Sequence, residues 1–213
     1  MKRLLLSSRG SYITDGACGL FDRPRNELRW AYVMTASKSV PDRTYIELHQ
    51  KRMDDLGWNY DVLDLDGKTP DQLRAILSDK DAINMEGGNA FYLIRSIRQS
   101  GFTQVLHEFL QRGGIYCGAS AGSYVACPTM ETATWKIPQR FDRHGVTDFT
   151  AMNLVPFLIV AHVTPEIEEM VRPKMEQAKY PVKLLSDRQA LQVRDDEVEL
   201  LKDTNVLPKE LGG

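Results

Sequence analysis

The stretch that decides the reading is "GGIYCGASAGSYVAC", residues 113 to 127. A β-prone apolar tripeptide, Ile115-Tyr116-Cys117, runs into Gly118-Ala119-Ser120-Ala121-Gly122, where almost no side chain is left to pack, and then into a helical run, "SYVAC". Glycine, serine and glycine at alternate positions between a strand and a helix fit a nucleophile elbow. In such a turn a strained backbone exposes the hydroxyl, and side chains in place of the flanking glycines would collide with neighbouring backbone. The spacing therefore puts Ser120 Oγ in a crevice and the Ala121 N–H toward the same space, at the positive end of a helix. A Gly/Ala-rich strand-helix contact with a bystander serine fits the five residues alone equally well. The context, a strand before and a helix after, favours the elbow.

Outward from this stretch, short apolar runs alternate with amphipathic ones. Strands are expected in "RLLLSS" (3 to 8), "LRWAYVMTAS" (28 to 37), "YDVLDL" (60 to 65), "AINME" (82 to 86), "GIYCG" (114 to 118) and "FLIVAHV" (157 to 163). Helices are expected over 42 to 57, 69 to 79 with Pro70 in the first turn, 88 to 101 and 103 to 114. This alternation predicts an α/β fold, a mostly parallel sheet flanked by helices on both faces, which binds ligands beyond the carboxyl ends of its strands. The segment 182 to 202 reads as a closing hairpin around "RDDE", and "LPKELGG" (207 to 213) as a frayed tail. At 213 residues the chain fits a single domain, 1 to 213.

The bulk numbers narrow the function. Lys plus Arg at 27 against Asp plus Glu at 29 leaves a net charge of -2, so no electrostatic footprint for nucleic acid or an anionic membrane is present, and a small-molecule partner is expected. Apolar runs such as "LVPFLIVA" fall short of the roughly 20 residues of a membrane span, and "MKRLLLSSRG" lacks the features of a secretory signal. A cytoplasmic location is expected. Three cysteines (18, 117 and 127), an odd count without metal-type spacing, imply no disulfide framework.

A serine hydroxyl needs a base to take its proton and, usually, a third group to orient that base. Of four histidines, His49 and His107 fall inside amphipathic helices and read as surface or boundary residues, and His144 sits in the polar loop "FDRHG". His162 ends the apolar run "FLIVAH" before "VTPE", which reads as a loop, and so projects at the same strand edge as Ser120. A buried histidine with a purely structural role is the alternative. For the orienting acid Asp187, in "LLSDRQAL", competes with Asp142, Asp148 and Glu166. "NMEGGNAF" (84 to 91) places Gly87-Gly88-Asn89 at a strand-to-helix junction, where a glycine N–H can approach a substrate oxygen and Asn89 can cap the helix. Cys117, three residues before the elbow position, reads as a packed apolar residue rather than a nucleophile.

Four segments, "GIYCGASAGSYVACPT", "EGGNAFYLI", "MNLVPFLIVAH" and "LLSDRQALQV", together resemble the peptidase E family of serine peptidases, which includes aspartyl dipeptidase and cyanophycinase. The likeness runs from about Lys2 to Leu201. It implies a class I glutamine-amidotransferase-like, flavodoxin-like fold, a cytosolic exopeptidase acting on short peptides without cofactor or metal, and a monomer or homodimer. Carried over, the nucleophile falls on Ser120, the base on His162, the family's Glu on Asp187, and the oxyanion donors on the N–H groups of Gly88 and Ala121. The chain order Ser, His, acid differs from that of an ordinary α/β-hydrolase.

The sequence also departs from the family. Its acid is the shorter Asp, and Ala161 replaces a common proline before the base. Where aspartyl dipeptidases carry a basic residue and an Asn-Asp pair after "CPT", this chain has Glu131, Thr134 and Trp135. The loop after His162, which in the family bears an acid-binding arginine, is shortened to "VTPEIEEMVRPK", with Arg172 left to replace it and Glu166, Glu168 and Glu169 adding negative charge. Coulomb sign then works against strict specificity for an N-terminal Asp. A free α-amino group on the substrate is expected, with Asn89, Glu86, Trp135 and Glu166 as candidate contacts. A same-fold hydrolase of an ester or side-chain amide and a catalytically silent binding module remain alternatives.

Overall fold

The computed structural model describes residues 1–16, 18–136 and 142–202. Five strands run parallel: β1 (Arg3–Ser7), β2 (Arg29–Val33), β3 (Asn59–Leu63), β4 (Ala82–Met85) and β5 (Ile115–Ala119). Two further short strands, β6 (Leu158–Val160) and β7 (Val182–Leu184), precede the hairpin of β8 (Gln189–Arg194) and β9 (Glu197–Lys202). The main sheet has the order β3-β2-β4-β5-β1-β8-β9, with β8 antiparallel to β1. The mostly parallel sheet and the closing hairpin agree with the sequence reading; the tail 207 to 213 lies outside the described residues.

Alternation along the strands makes two cores. Leu4 and Leu6, Ala31 and Val33, and Tyr116 face one side of the sheet; Leu5, Trp30, Tyr32, Cys117 and Ala119 face the other. The first core is covered by α3 (Pro70–Leu77), α4 (Ala90–Ser100), α5 (Phe102–Gln111) and α6 (Ala121–Ala126), the second by α1 (Gly10–Asp15) and α2 (Thr44–Asp55). Helix starts follow local chemistry. Thr69 caps α3 with Gln72 in a reciprocal box, Pro70 standing at the first position, and Asn89 Oδ1 accepts from the N–H groups of Phe91 and Tyr92 to open α4.

Two elements differ from expectation. The apolar run 157 to 163 forms only the three-residue β6, and it joins β7 in a parallel pair separate from the main sheet. The segment after His162, read as a loop, is the helix α7 (Pro165–Met175). Thr164 accepts from the Ile167 N–H and Pro165 supplies the fixed φ of a first helical residue, so "TPE" opens a helix rather than a turn. Among the described residues no helix is long and apolar enough to cross a membrane.

Candidate active site

Ser120 links β5 to α6 with φ 46° and ψ -103°, a left-handed conformation that a residue with a Cβ adopts at a cost on the order of 1–3 kcal/mol. Packing around the turn holds it there. Ser120 N–H donates to Ser7 O at 3.0 Å, and Ser120 O accepts from the N–H groups of Ser123 and Tyr124 as the first turn of α6. A Cβ on Gly122 would lie 2.2 Å from Met85 O, and one on Gly118 2.6 Å from Gly122 O. The small residues of 118 to 122 therefore do both things: they bring α6 against β4 and β5, and they leave the Ser120 hydroxyl facing His162. As the first residue of α6, Ala121 has an N–H that no carbonyl within the helix can accept.

The histidine and the acid reach Ser120 through the β6/β7 pair. Its parallel register sets Val160 opposite Leu184, and the ladder runs on through Leu185 N–H to Val160 O and Val163 N–H to Leu185 O. His162 and Asp187 thus emerge at the same end. His162 Nε2 lies 2.9 Å from Ser120 Oγ and Nδ1 lies 2.6 Å from Asp187 Oδ1. With Nε2 placed to accept the serine proton, Nδ1 carries hydrogen and donates to the carboxylate.

His162 also has φ 56°, and its backbone is held on every side. Ala161 N–H donates to Tyr124 Oη, Ala161 O accepts from Lys136 Nζ, and His162 N–H donates to Ser8 Oγ.

Two residues just past β1 complete the array and were not singled out in the sequence. Ser8 Oγ, while accepting from His162 N–H, donates to Asp187 Oδ1 at 3.0 Å; Arg9 Nη2 meets Asp187 Oδ2 at 2.7 Å. Both carboxylate oxygens are therefore engaged, and the short Asp side chain still contacts the imidazole. Burial pushes the Asp187 pKa up, but the His162 hydrogen bond and charge, Arg9 and Ser8 together outweigh it and lower it to about 2. A signal for Ser8 and Arg9 existed: "SSRG" ends a central strand at its carboxyl edge, where such sheets build sites.

Gly88 sits at the carboxyl end of β4, beside β5. Its φ is 139°, and a Cβ would lie 2.4 Å from Ala36 O, so only glycine fits. Gly87 faces the serine, since a Cβ added there would lie 3.2 Å from Ser120 Cβ. Among the described residues the N–H groups of Gly88 and Ala121 have no hydrogen-bond acceptor.

Of four expected substrate contacts, three are buried in other roles and one stands in solvent. Glu86 is 2% exposed and saturated: Oε2 accepts from Tyr32 Oη and pairs with His49 Nδ1, both at 2.9 Å, and Oε1 accepts from Gly87 N–H. It cannot meet a substrate amine. Asn89 is a buried cap whose Nδ2 donates to Asp142 O and Ser39 Oγ. Trp135 is packed in the larger core. Glu166 is exposed in the first turn of α7, where negative charge suits the helix dipole. Arg172 pairs with Glu168 in solvent, so it offers no ready replacement for an acid-binding arginine.

Of the other candidates, Asp142 accepts from His144 N–H, and Asp148 accepts from Thr150 and faces Arg98; neither meets His162. His107 is exposed, while His144 is half-buried, bonded to Ser39 and stacked edge-on against Tyr92. His49 was expected near the surface and is buried instead, on the same stripe of α2 as Ile46 and Met53. Cys117 is fully buried, which pushes its thiol well above the ordinary range and removes it as a nucleophile. At the opposite end of the sheet, a polar cavity of about 270 Å³ is lined by Arg3, Arg29, Lys80 and Arg112 together with Asp79 and Asp81. Cations outnumber acids in its lining, and Arg29 and Lys80 are paired to these acids.

The profile of peptidase family S51 matches residues 7–201. An uncharacterized peptidase of Pasteurella multocida is 28% identical over 165 residues, covering 77% of this chain and 78% of that protein. Peptidase E of Escherichia coli is 35% identical over 95 residues, covering 45% of this chain and 39% of that protein. Among solved structures, a candidate peptidase E protein of Listeria monocytogenes EGD-e superposes with a TM-score of 0.81 at 24% identity, over 96% of this chain and 100% of the other, a likeness of fold.

Proposed function

The chain belongs to peptidase family S51 and is a peptidase, and on that premise we propose that it is a serine exopeptidase that cleaves short peptides and is not confined to an N-terminal Asp. One observation carries the reading: a hydroxyl on a strained turn, 2.9 Å from an imidazole nitrogen whose other nitrogen lies 2.6 Å from an ionised carboxylate. Ser120 attacks the scissile carbonyl as His162 Nε2 takes its proton. The imidazolium then returns that proton to the leaving amine, and water, deprotonated by the same nitrogen, releases the acyl group. Asp187 keeps hydrogen on Nδ1 and stabilises the imidazolium, with Ser8 and Arg9 fixing the carboxylate. The N–H groups of Gly88 and Ala121 receive the tetrahedral oxyanion, the contribution usually largest in such sites.

The substrate class is read from the acidic residues that follow His162 along the chain. Glu166, Glu168 and Glu169 lie on α7 within a few residues of His162, and Arg172 is occupied by Glu168. This favours a substrate with a free amino group over one with an acidic first residue. The test is release of amino acids from a panel of dipeptides and tripeptides, in the presence of EDTA, beside Ser120→Ala. Cleavage that survives EDTA, vanishes in the variant and extends beyond Asp-X peptides is expected. No peptide cleavage with turnover of p-nitrophenyl esters would instead assign another acyl bond, and no turnover of either would leave a binding module.

A further inference from the structure

His49, Tyr32 and Tyr45 take no part in that mechanism, yet they surround the loop that carries one of its donors. His49 and Tyr45 come from α2 and Tyr32 from β2, and all three converge on Glu86-Gly87 at the end of β4. Gly87 is gripped on both sides: its N–H, in the peptide shared with Glu86, donates to Glu86 Oε1 at 2.7 Å, and its carbonyl, in the peptide shared with Gly88, accepts from Tyr45 Oη at 3.1 Å. Glu86 is in turn held by His49 and Tyr32 through Oε2, and the Tyr45 ring stands edge-on to His49, with centroids 6.1 Å apart. The cluster is closed from α1 as well, since a Cβ on Gly10 would lie 2.4 Å from His49 Cε1 and 3.0 Å from Glu86 Oε1.

The geometry of one peptide bond turns this grip into a function. No cis peptide bonds occur among the described residues, so the Gly87 carbonyl and the Gly88 N–H point in opposite directions within one rigid plane. Fixing the carbonyl on Tyr45 fixes the direction of the N–H. On the far side Asn89 N–H donates to Ala36 O at 3.0 Å, which anchors the next peptide. A buried ion pair such as His49–Glu86 is weak as a source of stability compared with packed apolar residues, so a cluster of this kind is better explained by the geometry it enforces.

We propose that Tyr45, Glu86 and His49 are positioning residues that hold the Gly87–Gly88 peptide so that the Gly88 N–H is aimed at the oxyanion. This rests on the reading of Gly88 as an oxyanion donor. Catalysis then depends on a side chain, Tyr45, whose hydroxyl is bonded to the carbonyl side of that peptide and away from the reacting atoms.

Tyr45→Phe is the decisive variant, because it keeps the ring and its contact with His49 and removes only the hydrogen bond to Gly87. Losing an oxyanion donor outright costs about 10²–10³ in kcat, and misaiming one is expected to lower kcat about 5- to 30-fold with KM within about twofold. The rate at which a fluorophosphonate labels Ser120 should fall in parallel, per molecule of folded protein. Glu86→Gln keeps an acceptor for Gly87 N–H and should act in the same direction. If Glu86→Gln does not fold, Tyr45→Phe alone decides. Unchanged labelling and kcat in Tyr45→Phe, with the wild type labelling at Ser120, would overturn this inference only. A wild type that neither cleaves peptides nor labels would overturn the serine-peptidase reading and this inference with it.

Discussion

Among the described residues, two histidine–carboxylate pairs have similar length and opposite setting. His162–Asp187 is 2.6 Å long with side chains 32% and 36% exposed, whereas His49–Glu86 is 2.9 Å long with side chains 10% and 2% exposed. At the first pair the free imidazole nitrogen meets Ser120 Oγ, and the carboxylate is held by Ser8 and Arg9. At the second, the carboxylate meets Tyr32 and a backbone N–H in a closed interior. The same two side-chain types thus sit in two settings, and the difference is whether a serine hydroxyl and partial exposure lie on the far side of the imidazole; the proposed roles, proton relay and brace, rest on that difference.

The largest expected effect separates the pairs by chemistry. Ser120→Ala should lower kcat for peptide hydrolysis by about 10⁴ or more, and Asp187→Asn by about 10²–10⁴ through loss of the correct tautomer, both measured with folded protein confirmed by circular dichroism. Next comes His49→Leu, which leaves the Glu86 charge buried without its partner. It should destabilise the fold by about 3–5 kcal/mol in urea unfolding, a loss not expected of His162→Gln at its half-exposed site.

A smaller effect distinguishes the carboxylates by pH. The Asp187 pKa lies below its ordinary 3.8, at about 2, so its contribution to stability is complete above the ordinary value and is lost as pH falls through the lowered one. The stability gap between wild type and Asp187→Asn should therefore be present at neutral pH and close near pH 2. Arg9→Gln removes the cation paired with Asp187 and should cut kcat/KM roughly tenfold, as the carboxylate loses one of the groups that fix it. The smallest effect is expected of Glu166→Gln, an exposed residue, with kcat within about twofold.

How far the sequence carried these distinctions depends on how local each signal was. The strained turn at Ser120 was legible because glycine spacing and the strand-to-helix switch both fall within residues 115 to 126. The parallel sheet followed from short continuous apolar runs, buried on both faces, alternating with amphipathic helical stripes. Asp187 could be placed by resemblance but its reach could not, since that depends on the β6/β7 register and on Ser8 and Arg9, about 180 positions away in the chain. The small separate sheet was not legible, because an apolar run reads the same whichever neighbour it pairs with. His49 and α7 were legible in principle. Ile46, His49 and Met53 lie at helical spacing, and Thr164-Pro165 is a helix start that "VTPE" disguised as a turn.

The central claim is that Ser120 is the nucleophile and His162 its base. Treating the wild type and His162→Gln with a fluorophosphonate, then locating the adduct by peptide mass spectrometry, tests it directly. One adduct per chain on Ser120 in the wild type, formed far more slowly in His162→Gln, is the predicted result. No adduct on Ser120, or labelling indifferent to His162, would contradict it.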